Sequence, residues 1–160
     1  MENQPMTYAG FWKRFAALLI DGILVSMVEG ILFLPVLGMF GISLFSAVNS
    51  ESPSQIVGSV LALIAASVGW VCLTAVVSWL YYALMESSER GATVGKLALG
   101  IRVVDSSGNR ISFGRASGRY FAKIISGAIL MVGYLMAAFT DRKQALHDII
   151  AGCLVINSRP

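Results

Sequence analysis

The chain has 160 residues, of which 56% are hydrophobic and only 13% charged, with a mean hydropathy of +0.74. A soluble domain carries roughly 25% charged residues, so this composition excludes an ordinary soluble protein and predicts one membrane domain over residues 1–160. The net charge is a modest +3, and the basic residues are split, two before residue 15 and ten after residue 89; this is a membrane-topology pattern, without the aromatic-interleaved basic patch that would predict nucleic-acid binding.

Lys13 and Arg14 precede the first apolar segment, Phe15 to Val48, which is longer than the roughly 20 residues a bilayer requires. The excess predicts a tilt, or a kink at Pro35; the crossing itself is expected over about residues 15–45. The segment far exceeds the short apolar core of a cleavable signal peptide and is expected to remain as an anchor. It carries two carboxylates, Asp21 and Glu29, while no lysine or arginine occurs from Phe15 to Glu89. A charged side chain in hydrocarbon is costly and normally faces a partner, a cavity or a transport path. Arg14 and Asp21, seven residues apart, return to nearly the same helical face about 10 Å apart along the axis, and Glu29 lies about 80° further round.

Residues 46–55 are polar, with Asn49, Ser50, Glu51 and Pro53, and predict a short loop on the outer side. The second span is expected at about 56–85, within an uncharged stretch from Ile56 to Met85. Trp79, Tyr81 and Tyr82 crowd its cytoplasmic end, where aromatics favour the interface. Gly58, Ala62 and Ala66 form a small-residue ridge, readable as a packing face or as ordinary helix composition.

Residues 86–118 are rich in charge, from Glu86 and Arg90 through Lys96 and Arg102 to Arg115, so the positive-inside rule predicts a cytoplasmic region and a cytoplasmic N-terminus. Within it, Leu99–Val104 and Arg110–Phe113 around the loop Asp105 to Asn109 predict a β-hairpin. A third apolar segment, about residues 119–139, is short, interrupted by Gly127 and Gly133 and followed by Arg142 and Lys143. It reads as a bent or re-entrant helix in preference to a third crossing, leaving the C-terminal segment 140–160 cytoplasmic. Cys153 to Ile156 has strand character and is expected to pair with the hairpin if both lie on one side. The expected fold is thus an all-α membrane protein with two long transmembrane helices, a short or re-entrant third helical segment and a small cytoplasmic β-hairpin. Cys72 and Cys153 read as buried thiols, not as a disulfide or metal site.

Three separated blocks carry a specific pattern: Tyr8-Ala9-Gly10-Phe11-Trp12-Lys13-Arg14-Phe15 leading to Asp21, then Ala92-Thr93-Val94-Gly95-Lys96-Leu97-Ala98-Leu99-Gly100, and last Ala145-Leu146-His147-Asp148-Ile149-Ile150-Ala151-Gly152. In this order they resemble the RDD family of bacterial membrane proteins. The family takes its name from an arginine, an aspartate in the first helix and a second aspartate near the C-terminus, which match Arg14, Asp21 and Asp148. Val94 stands where the family usually has proline, and Cys153 where threonine is common. The resemblance implies a small multi-pass protein of the bacterial cytoplasmic membrane and, for some members, sodium/proton antiport.

Arg14, Asp21 and Asp148 admit two readings: a neutralised cluster that holds the bundle together, or a site in which Asp21 carries a proton or sodium ion under the influence of Arg14, because burial raises a carboxylate pKa and a nearby cation lowers it. Glu29 is either a second cation ligand, or a group that is protonated or faces a polar interhelical partner. Lys96 and Arg102 are expected to contact lipid phosphate or an acidic partner. Gly91 to Lys96 is not a phosphate loop, since the glycine spacing is too short and Leu97 replaces the magnesium-binding hydroxyl. One histidine and no nucleophile motif argue against an enzyme, and no cofactor or metal is expected. The expected partners are the bilayer, a sodium ion or proton and further copies of the chain, because two spans cannot enclose a pathway alone. The alternative is a non-catalytic membrane scaffold or assembly factor that binds through its basic face.

Overall fold

The computed structural model describes residues 7–50, 52–128 and 132–158. Glu51 of the predicted outer loop, positions 129–131 of the third apolar segment and Arg159 of the C-terminal segment lie outside the described residues. The elements in chain order are α1 (Phe11–Val48), α2 (Pro53–Glu86), α3 (Val94–Ala98), β1 (Ile101–Asp105), α4 (Phe113–Ala128), α5 (Val132–Phe139), α6 (Leu146–Ile150) and β2 (Cys153–Asn157).

Helices α1 and α2, of 38 and 34 residues, are long and apolar enough to cross a membrane. A continuous helix is the form such a segment must take, because it satisfies every backbone N–H and C=O internally where water is absent. At 1.5 Å per residue, α1 is about 57 Å long, well beyond the hydrocarbon core, and it runs unbroken through Pro35. The chain divides into two compact units, residues 24–78 and residues 1–23 with 79–160.

The 24–78 unit comprises the distal parts of α1 and α2 and the turn joining them. Phe33 and Trp70 bring their rings to 4.9 Å, and Ser78 Oγ donates to Glu29 Oε1 at 2.9 Å. Cys72, expected to be buried, is exposed on α2, as side chains of a membrane helix are when they face lipid.

In the other unit the small antiparallel sheet is present, but its strands are not those of a local hairpin. Strand β1 pairs with β2 in the register Ile101↔Asn157, Val103↔Val155 and Asp105↔Cys153. The turn after β1 is as expected, with Asp105 Oδ1 accepting from the backbone N–H of Ser107 and Asn109, both at 2.8 Å. Arg110–Phe113 does not then return as a strand. Ser112 Oγ accepts from Arg115 N and starts α4, a capping role its short hydroxyl suits, whereas Cys153–Asn157 supplies a longer apolar, β-branched edge. On the far side of β2, Ala9 N donates to Val155 O and Asn157 N to Thr7 O, each at 2.9 Å, so the Tyr8-Ala9 block completes the sheet. Ile101, Val103, Val155 and Cys153 pack with Ala17, Ala83, Ile111 and Ala116 in one buried core.

The third apolar segment is two helices, α4 and α5, packed on each other. A Cβ on Gly133 would lie 2.8 Å from Ser126 Cβ, so the glycine is what permits the chain to fold back at this distance.

Candidate functional site

The three quoted blocks converge. Asp148 lies in the first turn of α6 and accepts from Ala145 N at 3.0 Å, which also suits the dipole of a helix start. Arg14 Nη1 reaches its Oδ2 at 2.5 Å and Arg119 Nη2 its Oδ1 at 2.8 Å. Arg119 extends the network, placing Nη1 2.6 Å from Glu86 Oε2, while Lys96 Nζ lies 2.5 Å and Lys123 Nζ 3.5 Å from Glu86 Oε1. Four cations therefore share two fully buried carboxylates across α1, α2, α3, α4 and α6. Lys123 also sits 4.1 Å over the Tyr82 ring, a cation–π contact.

Asp21 has different company. No ion pair joins it to Arg14 among the described residues; its Oδ1 accepts from Tyr81 Oη and Gly95 N, both at 2.7 Å, and its Oδ2 from Thr93 Oγ1 at 2.5 Å. Val94 N donates in turn to Tyr81 Oη at 3.2 Å. Asp21 thus closes the start of α3 from another helix, through neutral donors. Gly95 is needed there because a Cβ would come within 2.3 Å of Ala17 O.

Arg14 and Asp21, seven residues apart, do share one cavity of about 300 Å³. Its wall includes Phe11, Phe15, Leu18, Tyr82, Tyr134 and Leu135, and the basic side chains Arg14, Lys96, Arg119 and Lys123. Among the described residues, Arg14 Nη2 is buried with no hydrogen-bond partner.

Of the other residues singled out, Lys96 is enclosed, not spread on a surface, and its acidic partner is Glu86 of the same chain. Arg102 is exposed on β1. Glu29 lies in the 24–78 unit with Ser78. Glu86, Arg119, Lys123 and Tyr81 carry the geometry, and none of them belongs to the three blocks or to the carboxylates of the first apolar segment. For Arg119 and Lys123 the sequence carries a signal, the four-residue spacing that puts both on one face of α4; for Glu86 and Tyr81 it carries none.

Burial tends to raise the Asp148 carboxyl, but Arg119 and Arg14 hold it well below the usual carboxylate range. Burial and Arg119 pull the Lys96 ammonium down to about 7 against Glu86. Burial, reinforced by Arg119, depresses His147 to about 3, so its ring is neutral at pH 7 with Nδ1 3.3 Å from Ser126 Oγ. A histidine whose folded pKa lies below its unfolded value favours folding fully above about 6.5, and that contribution is lost as pH falls from there towards 3. Acidification from pH 7 to about 4.5 is expected to cost on the order of 2 kcal/mol through this residue. Thermal unfolding of wild type and His147→Gln across that range checks it: the variant should show the flatter slope.

The RDD family model matches residues 8–152. The chain is 38% identical to the uncharacterized protein YxaI of Bacillus subtilis over 92% of this chain and 96% of that protein. It is 28% identical to the uncharacterized membrane protein YteJ of the same organism, covering 95% and 82% of the two chains, and 26% identical to the uncharacterized protein YckC, covering 95% and 86%. No solved structure matches the chain.

Proposed function

The chain belongs to the RDD family of membrane proteins, and we propose that it exchanges a cation, sodium in the first instance, for a proton across the bacterial cytoplasmic membrane. The observation that carries this reading is the pair of carboxylates on α1 held by neutral partners. Asp21 is bonded to two hydroxyls and one amide, and Glu29 to the Ser78 hydroxyl, in a stretch that holds no lysine or arginine from Phe15 to Glu89. A carboxylate fixed by a salt bridge is poorly suited to cycling between charged and neutral forms, whereas one bound by hydroxyls can pass a proton or admit a cation. Arg14 and Asp148 serve on this reading as the fixed frame beside the carrier. Both termini face the cytoplasm, following the basic residues, and two spanning helices reach a complete pathway by forming a homo-oligomer.

The test is cation-driven pH change in proteoliposomes. Asp21→Asn preserves the local bonding, since an amide oxygen at Oδ1 still accepts from Tyr81 and Gly95 and the amide nitrogen can donate to the Thr93 hydroxyl. It is expected to abolish exchange in a folded, inserted protein, and Glu29→Gln to weaken apparent cation affinity more mildly. Equal traces from wild type and Asp21→Asn, at equal reconstitution, overturn the proposal.

The second reading, a non-enzymatic scaffold, is favoured by the ion network itself, which ties five elements together and leaves Arg102 exposed for an acidic partner or anionic lipid. Under it Asp21→Asn acts through stability alone, and Arg102→Glu weakens partner or lipid binding.

A further inference from the structure

The cavity lined by residues of α1 to α6 has an electrostatic imbalance that the exchange reading does not use. Arg14, Lys96, Arg119 and Lys123 line it, whereas Asp21 is the one carboxylate among the lining residues described, and its oxygens are already occupied by three donors. Counting Glu86 and Asp148 behind the wall, four basic side chains still face three carboxylates. Arg14 lines this cavity, and among the described residues its Nη2 is buried without a hydrogen-bond partner, a cost that an acceptor close to this guanidinium would relieve. The remaining wall is aromatic and aliphatic, including Leu18 and Ala137, which suits a hydrocarbon chain and not a hydrated inorganic ion.

We propose that this cavity binds an amphipathic anion, an oxyanion headgroup carried on an apolar chain, with the headgroup accepting from the Arg14 and Lys123 side chains and the chain lying along Leu18 and Ala137. Such a ligand has the chemistry of a single-chain anionic lipid. A charged oxyanion accepts stronger hydrogen bonds than a neutral one, and its charge suits a wall on which basic side chains outnumber carboxylates. The proposal does not depend on whether Asp21 carries a proton.

Binding to the purified full chain in a neutral detergent, read by native mass spectrometry and by titration, tests it with three probes used below their micellar concentrations: decyl phosphate, decylphosphocholine and inorganic phosphate. Decyl phosphate is expected to bind at least about tenfold more tightly than either of the others, a difference of about 1.4 kcal/mol. Lys123→Gln removes the longest, least constrained of the Glu86 contacts and is expected to weaken decyl phosphate binding several-fold. Leu18→Trp fills the chain's path without touching a charge and is expected to abolish it. Equal affinity for decyl phosphate and decylphosphocholine overturns the proposal, as does inorganic phosphate matching decyl phosphate, or Leu18→Trp binding like wild type. The wild-type comparison decides the matter even where a variant fails to fold.

Discussion

Glutamine in place of Glu86 is expected to destabilise the folded protein by about 3–5 kcal/mol, the range for stripping a buried ion network of one partner. Glu86 is 1% exposed and is the shared anion for Lys96, Arg119 and Lys123. The amide keeps the shape and one acceptor but leaves three buried cations facing one another. Lys96 has the means to relieve part of this, since burial and Arg119 already bring it to about 7 and loss of Glu86 removes the opposing pull. Its folded pKa lies below the unfolded value near 10.4, so the folded state holds fewer protons in that window and stability there rises with pH. Wild type gains equally above about pH 7, so thermal unfolding in detergent should show the Glu86→Gln deficit shrinking as pH rises towards 7 and level from there to pH 9. A second change, Lys96→Met, should recover part of the loss at pH 6, and no recovery there would show that the deficit does not arise from unpaired cations.

Alanine at position 95 is expected to be as damaging, for a steric reason. The added methyl would stand 2.3 Å from the carbonyl oxygen of Ala17 and 2.9 Å from Asp21 Oδ1, and the first of these is backbone inside a helix and cannot turn aside. Helix α3 must then move off α1, which breaks the 2.7 Å bond from Gly95 N to Asp21 and leaves a buried carboxylate short of a donor. The combination of overpacking and an under-satisfied buried charge is expected to cost about 4 kcal/mol or more. Gly22→Ala, one residue from Asp21 on α1, is the control, because nothing lies within 4 Å of its Cβ position; helix propensity alone should make it neutral or slightly stabilising. The yield of folded protein and its unfolding temperature should separate the two alanines sharply.

The sequence by itself determined the membrane class, the two long helices and the residues that would converge. Uninterrupted apolar length leaves a chain no other way to satisfy its backbone in lipid, so α1 and α2 were legible from composition alone. A buried charge needs compensation wherever it sits, so Arg14, Asp21 and Asp148 stood out as charges that had to find company. Which company they found was decided by the tertiary structure. Arg14 pairs with Asp148, and Asp21 turns instead to Tyr81, Thr93 and Gly95, because α3 sets the backbone N–H of Gly95 against α1 at a distance only glycine allows. Local pairing likewise predicted a hairpin from Leu99 to Phe113, with Cys153 to Ile156 as an added edge; that edge is present as β2, but Arg110–Phe113 forms no strand and β1 meets Cys153–Asn157, 48 residues beyond its own last residue, directly, since a turn can form without a strand to follow it. Arg119 and Glu86 read in the sequence as topology-setting charges near a membrane surface. Folding placed them at the centre of the polar core, a result of which faces of α2 and α4 come together, and that is set by packing between elements distant in sequence and not by the residues around either one.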